Sequence, residues 1–501
     1  MNRSFPLYAR NRQLALSAIA LAATTFIAGC ADMGGIHTEA SARSPQSLGL
    51  VVEPSAADQA AAVAPVDARW WTALGDSHLN QLVETALADG PSLKVAEARI
   101  RKAWAMAQVS DAADGPQVNG QATANRNHAP ANGLIPPPIA GHNYSTAEAR
   151  INGSWSLDLF GKHRAALDAA VGSARAAQAD RDAARVLLAS NVVQAYVQLS
   201  RWQAQETVAE RAIAQREHTL KLVRDRYSAG LDTTLEVRQS ESGVPEARVQ
   251  LEQVREQKHL AQNALAALVG QPGNGQNLQA APIASLKLPQ FPQQLSASLL
   301  GRRADVVAAR WRVEAADRSI AEAKAEFYPD INLTAFIGLS SIGFNNFAKT
   351  NAREWGVGPA LSLPIFDSGL LRANLRGKSA DYDVAVEGYN QAVINAVHDV
   401  ADQIASAKSA YAQLPEQRKA ADAAQSALDI ANQRYAAGLG TYLNVLSAET
   451  NVLAQRRQSV DIEARILQTN AALAQALGGG YSDPEPSAAA IDTAASQKKA
   501  S

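Results

Sequence analysis

The chain has 501 residues, a net charge of −1 and a single cysteine. Near-neutral charge supplies no basic field for nucleic acid, so none is expected as a partner, and one thiol excludes an intramolecular disulfide. Aromatic residues make up only 5%, a composition that suits long, closely packed helices more than a thick globular core.

Arg3, Arg10 and Arg12 form a positive n-region, followed by an apolar run from Leu14 to Ile27 and then Ile27-Ala28-Gly29-Cys30. This is the three-part form of a secretory signal over residues 1–29, ending in a cysteine where an A-x-A site would be usual. The segment resembles a bacterial lipoprotein lipobox. The resemblance implies a diacylglycerol on the Cys30 thiol, Cys30 as the new N-terminus, and outer-membrane sorting set by Ala31. An incidental cysteine after a short apolar stretch, or a transmembrane anchor, is the alternative. Residues 30–68, rich in Ala, Ser, Pro and Gly, are expected to be a lipidated flexible tether. No later segment offers 18 apolar residues, so any membrane crossing by the body of the protein must be a barrel.

Structure is expected from Trp70-Trp71 onward, with residues 69–270 forming a first structural repeat. Leu79, Leu82 and Ala86 share one helical face. A second helix spans about 92–113, and strands are expected at about 118–127 and 146–159. A helical hairpin then fills about 160–270, its first arm roughly 100 Å long if continuous. Residues 271–302 are a linker with a short helix. Residues 303–480 repeat the plan: a helix over 304–328, strands at about 331–340 and 355–365, and a helical hairpin over about 366–478. Residues 481–501 are expected to be disordered.

The strands alternate. Ala147, Ala149, Ile151, Gly153, Trp155, Leu157 and Leu159 face one way, with Glu148, Arg150, Asn152, Ser154, Ser156 and Asp158 opposite. Ile331 to Leu339 and Trp355 to Ile365 alternate likewise, and Val118 to Asn125 more weakly. Such strands match a membrane barrel with a wet lumen, although a half-buried sheet in a soluble protein alternates identically. Four strands cannot close a barrel with a lumen, and an open edge is forbidden in lipid. If they span a membrane, several protomers must share one barrel.

The two hairpins turn on nearly the same words. RYSAGLDTTLEV begins at Arg226 and RYAAGLGTYLNV at Arg434, an offset of 208 residues, the mark of a duplicated supersecondary unit. The returning helices carry heptads. Val237, Val244, Leu251 and Leu265 form one column, which Lys258 interrupts, and Ala247, Val254, Ala261 and Leu268 form another. Gly243-Val244-Pro245 should bend the first returning helix. In the last helix Val445, Val452, Ile466 and Leu473 lie beside Leu446, Leu453, Val460 and Leu467, a seam wide enough for neighbours on two sides.

Trp70-Trp71 with LGDSHLNQL, WSLDLFGKHR (Trp155 to Arg164), its counterpart LSLPIFDSGLLRA, FYPDINLTA (Phe327 to Ala335) and the paired RYxxGL turns resemble the TolC-like outer membrane factors, nearest the NodT-type efflux lipoproteins. The likeness runs in order from about Trp70 to Gly478. It implies an α+β fold of mostly long helices with four transmembrane strands per protomer, assembled as a homotrimer. The trimer would form a twelve-stranded barrel in outer-membrane lipid, continuous with a periplasmic helical barrel. It also implies partners: a periplasmic adaptor (membrane fusion) protein and an inner-membrane transporter of the resistance-nodulation-division (RND) or major facilitator type.

The same resemblance assigns two groups of residues. Gly230, Leu231 and Thr233 in one half, with Gly438, Leu439 and Thr441 in the other, would be the adaptor-docking tips. Leu443, Asn444, Ser447 and Thr450 would form the periplasmic gate, with Glu236 and Gln239 at the first-half positions. Relatives often place carboxylates there, so a gate built here on Leu443 packing should show weaker divalent-cation block.

No Walker loop, HExxH or dinucleotide fingerprint is present and the eight His residues fall in no metal spacing, so no enzyme activity, cofactor or metal is expected. The expected function is the passive exit duct of a tripartite pump for small toxic or antimicrobial compounds. The exit of a type I protein secretion system and a non-pore coiled-coil scaffold lipoprotein are the alternatives. The Pro-rich loop Gly133 to Gly141 resembles that of ducts paired with aromatic-acid or fusaric-acid exporters.

Overall fold

A computed structural model describes residues 33–43, 66–287 and 302–482. The signal, Cys30 and the segment beyond Ser482 lie outside the described residues. Helices α1 (Ser77–Asp89) and α2 (Pro91–Ala113) lead into strands β1 (Gln117–His128) and β2 (Asn143–Leu157). Helices α3 (Lys162–Ser228) and α4 (Thr234–Leu268) come next. The second half repeats the order with α5 (Ala304–Ala325), β3 (Asp330–Ile342), β4 (Arg353–Ser362), α6 (Leu370–Ala436) and α7 (Tyr442–Ala476). The described linker residues hold two 3-10 turns, Pro272–Asn277 and Ile283–Ser285. No described helix is long and apolar enough to cross a membrane. The chain divides into two compact units.

One unit comprises residues up to Ala42, Ile100–Ala176 and Ala309–Tyr389. Its centre is a four-stranded antiparallel sheet in the order β1-β2-β3-β4. Register places Ile151 opposite Ile337, which is opposite Trp355, so the period-two apolar residues of three strands share one face. That face is uncovered: Trp355 is 76% exposed, and Ile151, Ile337, Val357 and Leu361 are exposed as well. A sheet half-buried in a soluble protein would hide this face.

The other face is polar, with Gln121, Arg150, Gly338 and Glu354 in one row. Arg150 pairs with Glu148 at 2.9 Å and with Glu354, and its guanidinium lies over the Phe336 ring. Glycine makes this possible. A Cβ on Gly338 would collide with the Ala149 carbonyl oxygen and sit 2.7 Å from Arg150 Cγ, and one on Gly356 would sit 2.6 Å from the Phe336 ring.

Carboxylates start the helices that leave the sheet. Asp158 accepts from the Arg164 amide at 2.9 Å, and Asp367 from the amides of Gly369 and Leu371 at 2.9 and 2.8 Å. Asp367 closes an Asx-type turn onto Gly369, while Asp158 reaches six residues on, and both satisfy first-turn N–H groups that have no partner within the helix. Phe160 stacks on Tyr328 at 4.9 Å beside the same junction. The segment from Met33, within the stretch read as a tether, is held along α6. Met33 and Ile36 pack against Phe327, Leu371, Leu375 and Tyr382. Arg372 donates to the Gly34 carbonyl at 3.0 Å, and Asp383 accepts from the amides of Glu39 and Ala40.

The second unit comprises Arg43–Arg99, Ala177–Ala308 and Asn390 onward. Its main core joins Trp70, Trp71 and the Leu79–Leu82–Ala86 stripe of α1 to Val192, Tyr196 and Leu199 of α3, Leu265 of α4 and Leu467 of α7. Asp76 caps α1, accepting from the His78 amide at 2.8 Å, and also takes the Tyr196 hydroxyl.

The heptad columns of α4 are buried at Val244, Leu251 and Leu265 and at Ala247 and Ala261. Lys258, the odd residue in its column, donates to Glu206 at 2.6 Å. Burial pushes the Glu206 carboxyl up, but Lys258 and Arg255 outweigh it and hold it below the usual range. Helix α4 runs as one element through Pro245. On α7 the two columns differ over their first part: Val445, Val452, Ile466 and Leu473 are buried, while Leu446, Leu453 and Val460 stay half-exposed in the protomer and the fourth member of their column, Leu467, is buried.

Candidate docking tips and periplasmic gate

Both hairpin turns end their first helix with the same hydrogen-bonded cap. In the first, the Leu231 amide donates to the Arg226 carbonyl at 2.9 Å and Gly230 to Tyr227 at 3.0 Å. In the second, Leu439 donates to Arg434 at 2.7 Å and Gly438 to Tyr435 at 3.0 Å. This is the Schellman pattern, which requires a left-handed residue; Gly230 and Gly438 supply it with φ of 72° and 75°. Leu231 and Leu439 are left projecting, 64% and 70% exposed.

The starts of the two returning helices differ. Thr233 caps α4 in a capping box: its hydroxyl accepts from the Leu235 amide at 3.2 Å, and the Glu236 carboxylate accepts from the Thr233 amide at 2.9 Å and from the Thr233 hydroxyl. That hydroxyl, and then the amides, hold the Glu236 carboxyl below the usual glutamate range. Thr441 has the same extended N-cap backbone but no side-chain cap bond, and Asn444 stands where the reciprocating Glu236 stands in the first copy.

The tips are joined by a cluster that the motif comparison did not single out. Arg226 Nε reaches Asp232 at 3.1 Å, and Arg226 Nη1 donates to the Tyr435 carbonyl at 2.8 Å. The Tyr435 hydroxyl donates to the same Asp232 carboxylate, and the Arg226 guanidinium lies 4.5 Å from the centroid of the Tyr435 ring. The Arg226 and Asp232 side chains are only 11% and 9% exposed, and Tyr435 packs with Val223, Leu428, Tyr442 and Val445. Burial, and then the bond to Asp232, push the Tyr435 hydroxyl well above its usual pKa. Comparing the two copies holds the only signal for this cluster: both read Arg-Tyr, but Asp232 is replaced by Gly440. Arg434, lacking a carboxylate there, bonds the Leu439 carbonyl at 3.3 Å and stays exposed.

The four residues expected at the gate share the outer side of α7. Leu443, Asn444, Ser447 and Thr450 are all exposed, Leu443 by 65%, whereas Tyr442, Val445, Glu449 and Val452 face the core. Spacing of i, i+4 and i+7 aligns Leu443, Ser447 and Thr450 on one stripe. Thr450 bonds back to the Leu446 carbonyl at 2.8 Å and lines an open groove of about 550 Å³ with Arg216, Glu246 and Arg457. Of the first-half counterparts, Gln239 is exposed, while Glu236 is half-buried and committed to its cap.

Long paired helices, a four-stranded antiparallel sheet with one apolar face in the open, and two glycine-capped turns define a TolC-like channel protein. The family model described as outer membrane efflux protein matches residues 82–271 and 295–479. The chain is 32% identical over 464 residues to the putative multidrug resistance outer membrane protein MdtQ of Escherichia coli, covering 91% of this chain and 96% of that one. It is 39% identical over 377 residues to the fusaric acid resistance protein FusA of Burkholderia cepacia, covering 73% and 69%. The crystal structure of the outer membrane protein VceC from Vibrio cholerae superposes with a TM-score of 0.77 at 34% identity, over 83% of this chain and 99% of that one. The protein therefore belongs to the outer membrane efflux protein family. It is a non-enzymatic outer-membrane channel of the TolC-like fold, extending into the periplasm.

Proposed function

We propose that this protein is the passive exit duct of a tripartite efflux pump, with three protomers closing one twelve-stranded barrel. The sheet carries the reading. Its apolar face is exposed, its opposite face is polar, and β1 and β4 are edges with unpaired backbone groups. In lipid those edges must pair, and further copies of the same chain provide the partner strands. The half-exposed Leu446–Leu453–Val460 column supports the same conclusion for the helices, since it offers a second neighbour-facing seam.

Transport energy comes from an inner-membrane transporter of the RND or major facilitator type, coupled through a periplasmic adaptor. The adaptor docks on Gly230, Leu231 and Thr233 and on Gly438, Leu439 and Thr441, where two exposed leucines stand on rigid caps. The gate lies at Leu443, Asn444, Ser447 and Thr450. With no carboxylate among these four, divalent cations should block the pore less than in relatives with acidic rings. The cargo is small toxic compounds. The multidrug and fusaric acid resistance relatives, with the Pro-rich loop Gly133 to Gly141, favour amphiphilic molecules that include aromatic acids.

Acylation of Cys30 anchors the protein in the membrane's periplasmic leaflet. Met33, three residues on, packs beside Phe327 at the foot of β3, and three residues reach no further than about 11 Å.

In-cell photocrosslinking from Leu231 and Leu439 tests the docking assignment. Capture of a periplasmic adaptor at both positions is expected. Capture of peptidoglycan-associated proteins alone, or of nothing, would overturn it.

A further inference from the structure

The outward apolar band of the sheet ends, on its hairpin-loop side, in one residue per strand: Arg126 on β1, Ser145 on β2, Ser341 on β3 and Arg353 on β4. Face parity fixes these positions. Arg126 continues the series Val118, Gly120, Ala122, Ala124, and Arg353 precedes Trp355, Val357 and Pro359. Register sets Arg126 opposite Ser145, Ser341 opposite Ala147 and Arg353 opposite Leu339. The edge of the band thus runs level from β1 to β2 and steps by two residues from β2 to β3 and again from β3 to β4, an overall stagger of the kind that strands tilted by about 40° to the membrane normal produce.

Both arginines are exposed, and neither makes an ion pair or side-chain hydrogen bond among the described residues. The inward-facing Arg150, by contrast, is held between two carboxylates. No Asp or Glu occupies any outward position of the four strands; Glu148 and Glu354 lie on the other face.

The arginines sit on the two edge strands, which gives them a shared destination. In the trimeric barrel proposed above, on which this inference rests, β4 of one protomer lies beside β1 of the next, about 4.8 Å away. Each seam then sets Arg353 and Arg126 side by side at one membrane level, facing lipid at the outer rim of the apolar band. Two unpaired guanidinium groups at a low-dielectric border repel each other, and an anion between them removes the repulsion. Guanidinium matches phosphate oxygens bidentately. At this depth the available phosphates are those of lipid head groups in the outer leaflet.

We propose that each of the three seams binds one phosphate-bearing glycolipid of the outer leaflet, its phosphate held by Arg126 and Arg353 and its acyl chains lying on the Trp355–Val357 strip. The glycolipid closes the protomer seam from outside.

Native mass spectrometry of the full-length protein in detergent, with a bis-phosphorylated acylated glucosamine disaccharide added, tests this directly. The trimer should retain up to three glycolipids. The Arg126→Gln/Arg353→Gln variant should lose retention on the order of tenfold, Arg126→Lys/Arg353→Lys should recover part of it, and the dephosphorylated disaccharide should not be retained. Equal retention by the glutamine variant or of the dephosphorylated lipid would overturn the site. Displacement of the glycolipid by inorganic phosphate would show a free-anion site and overturn the lipid assignment. A monomeric mass in the same spectrum would instead remove the trimer reading, and the seam with it.

Discussion

At the scale of single residues, the two tips share their glycine caps but start their returning helices differently, and the difference predicts unequal behaviour. Thr233→Ala removes a capping box and should cost about 1 kcal/mol of stability. Thr441→Ala removes no side-chain cap bond and should be nearly neutral. Thermal unfolding of the two variants checks the pair; equal losses would contradict it.

The same contrast sets a pH dependence. The Glu236 carboxyl is held below its ordinary 4.5 by Thr233. A depressed carboxyl contributes stability that is full above its unfolded value and lost as pH falls through its folded one. Amide protection over Thr234–Val237, corrected for intrinsic exchange, should therefore fall as pH drops below about 4.5, while that over Leu443–Val445 stays level. Glu236→Gln should abolish the dependence.

The Arg226–Asp232–Tyr435 cluster makes a second prediction at this scale. Asp232→Asn leaves a buried guanidinium without its counterion, a loss of about 3 kcal/mol of local stability. Tip contacts should loosen, raising the conductance of the reconstituted pore and the protease sensitivity of the turns. An unchanged conductance would show that the cluster does not hold the pore. Arg226 is raised by Asp232, and Tyr435 by burial and Asp232, so both keep their protons until strongly alkaline pH. Neutral-range pH changes should not open the cluster through either group.

At the scale of elements, the sheet shows what a one-dimensional pattern can and cannot reveal. Period-two alternation gave away the strands and their two faces because side chains must alternate on a pleated backbone. It left open whether the apolar face is hidden, and the exposure of Trp355, Ile337 and Val357 settles that. The turns were legible because glycine is the residue a left-handed cap demands, and the motif is written twice. The Arg226–Asp232–Tyr435 cluster was not legible, since Tyr435 and Asp232 lie 203 residues apart and nothing local marks them as partners. Arg150 and Glu354, 204 residues apart, were hidden for the same reason. Lys258 looked like a break in a heptad column and is instead the partner of the half-buried Glu206.

The clearance glycines carry the element-scale prediction. Gly338→Ala drives a Cβ into the Ala149 carbonyl, a backbone atom that cannot rotate aside, whereas the Cβ of Gly358→Ala meets nothing within 4 Å. The first variant should lower the yield of heat-resistant oligomer in outer-membrane extracts, and the second should match wild type. Equal yields would contradict the packing described for Arg150 and Phe336.

At the scale of the whole molecule, one protomer is incomplete on its own terms. It exposes an apolar sheet face to be covered by lipid, two strand edges to be paired, and a column of half-exposed leucines and valine on α7 to be packed. Each of these is a cost to an isolated chain in water and a contact surface in a ring of copies. The sequence alone required an oligomer if the strands span a membrane; the number three comes from the family.

Planar-bilayer recording on the purified full-length protein, with its oligomer mass measured on the same sample, tests this account most directly. A trimeric species producing discrete conductance steps, with only weak block by divalent cations, is the predicted result. A monomeric protein that inserts without conducting would contradict the shared barrel, and with it the exit duct.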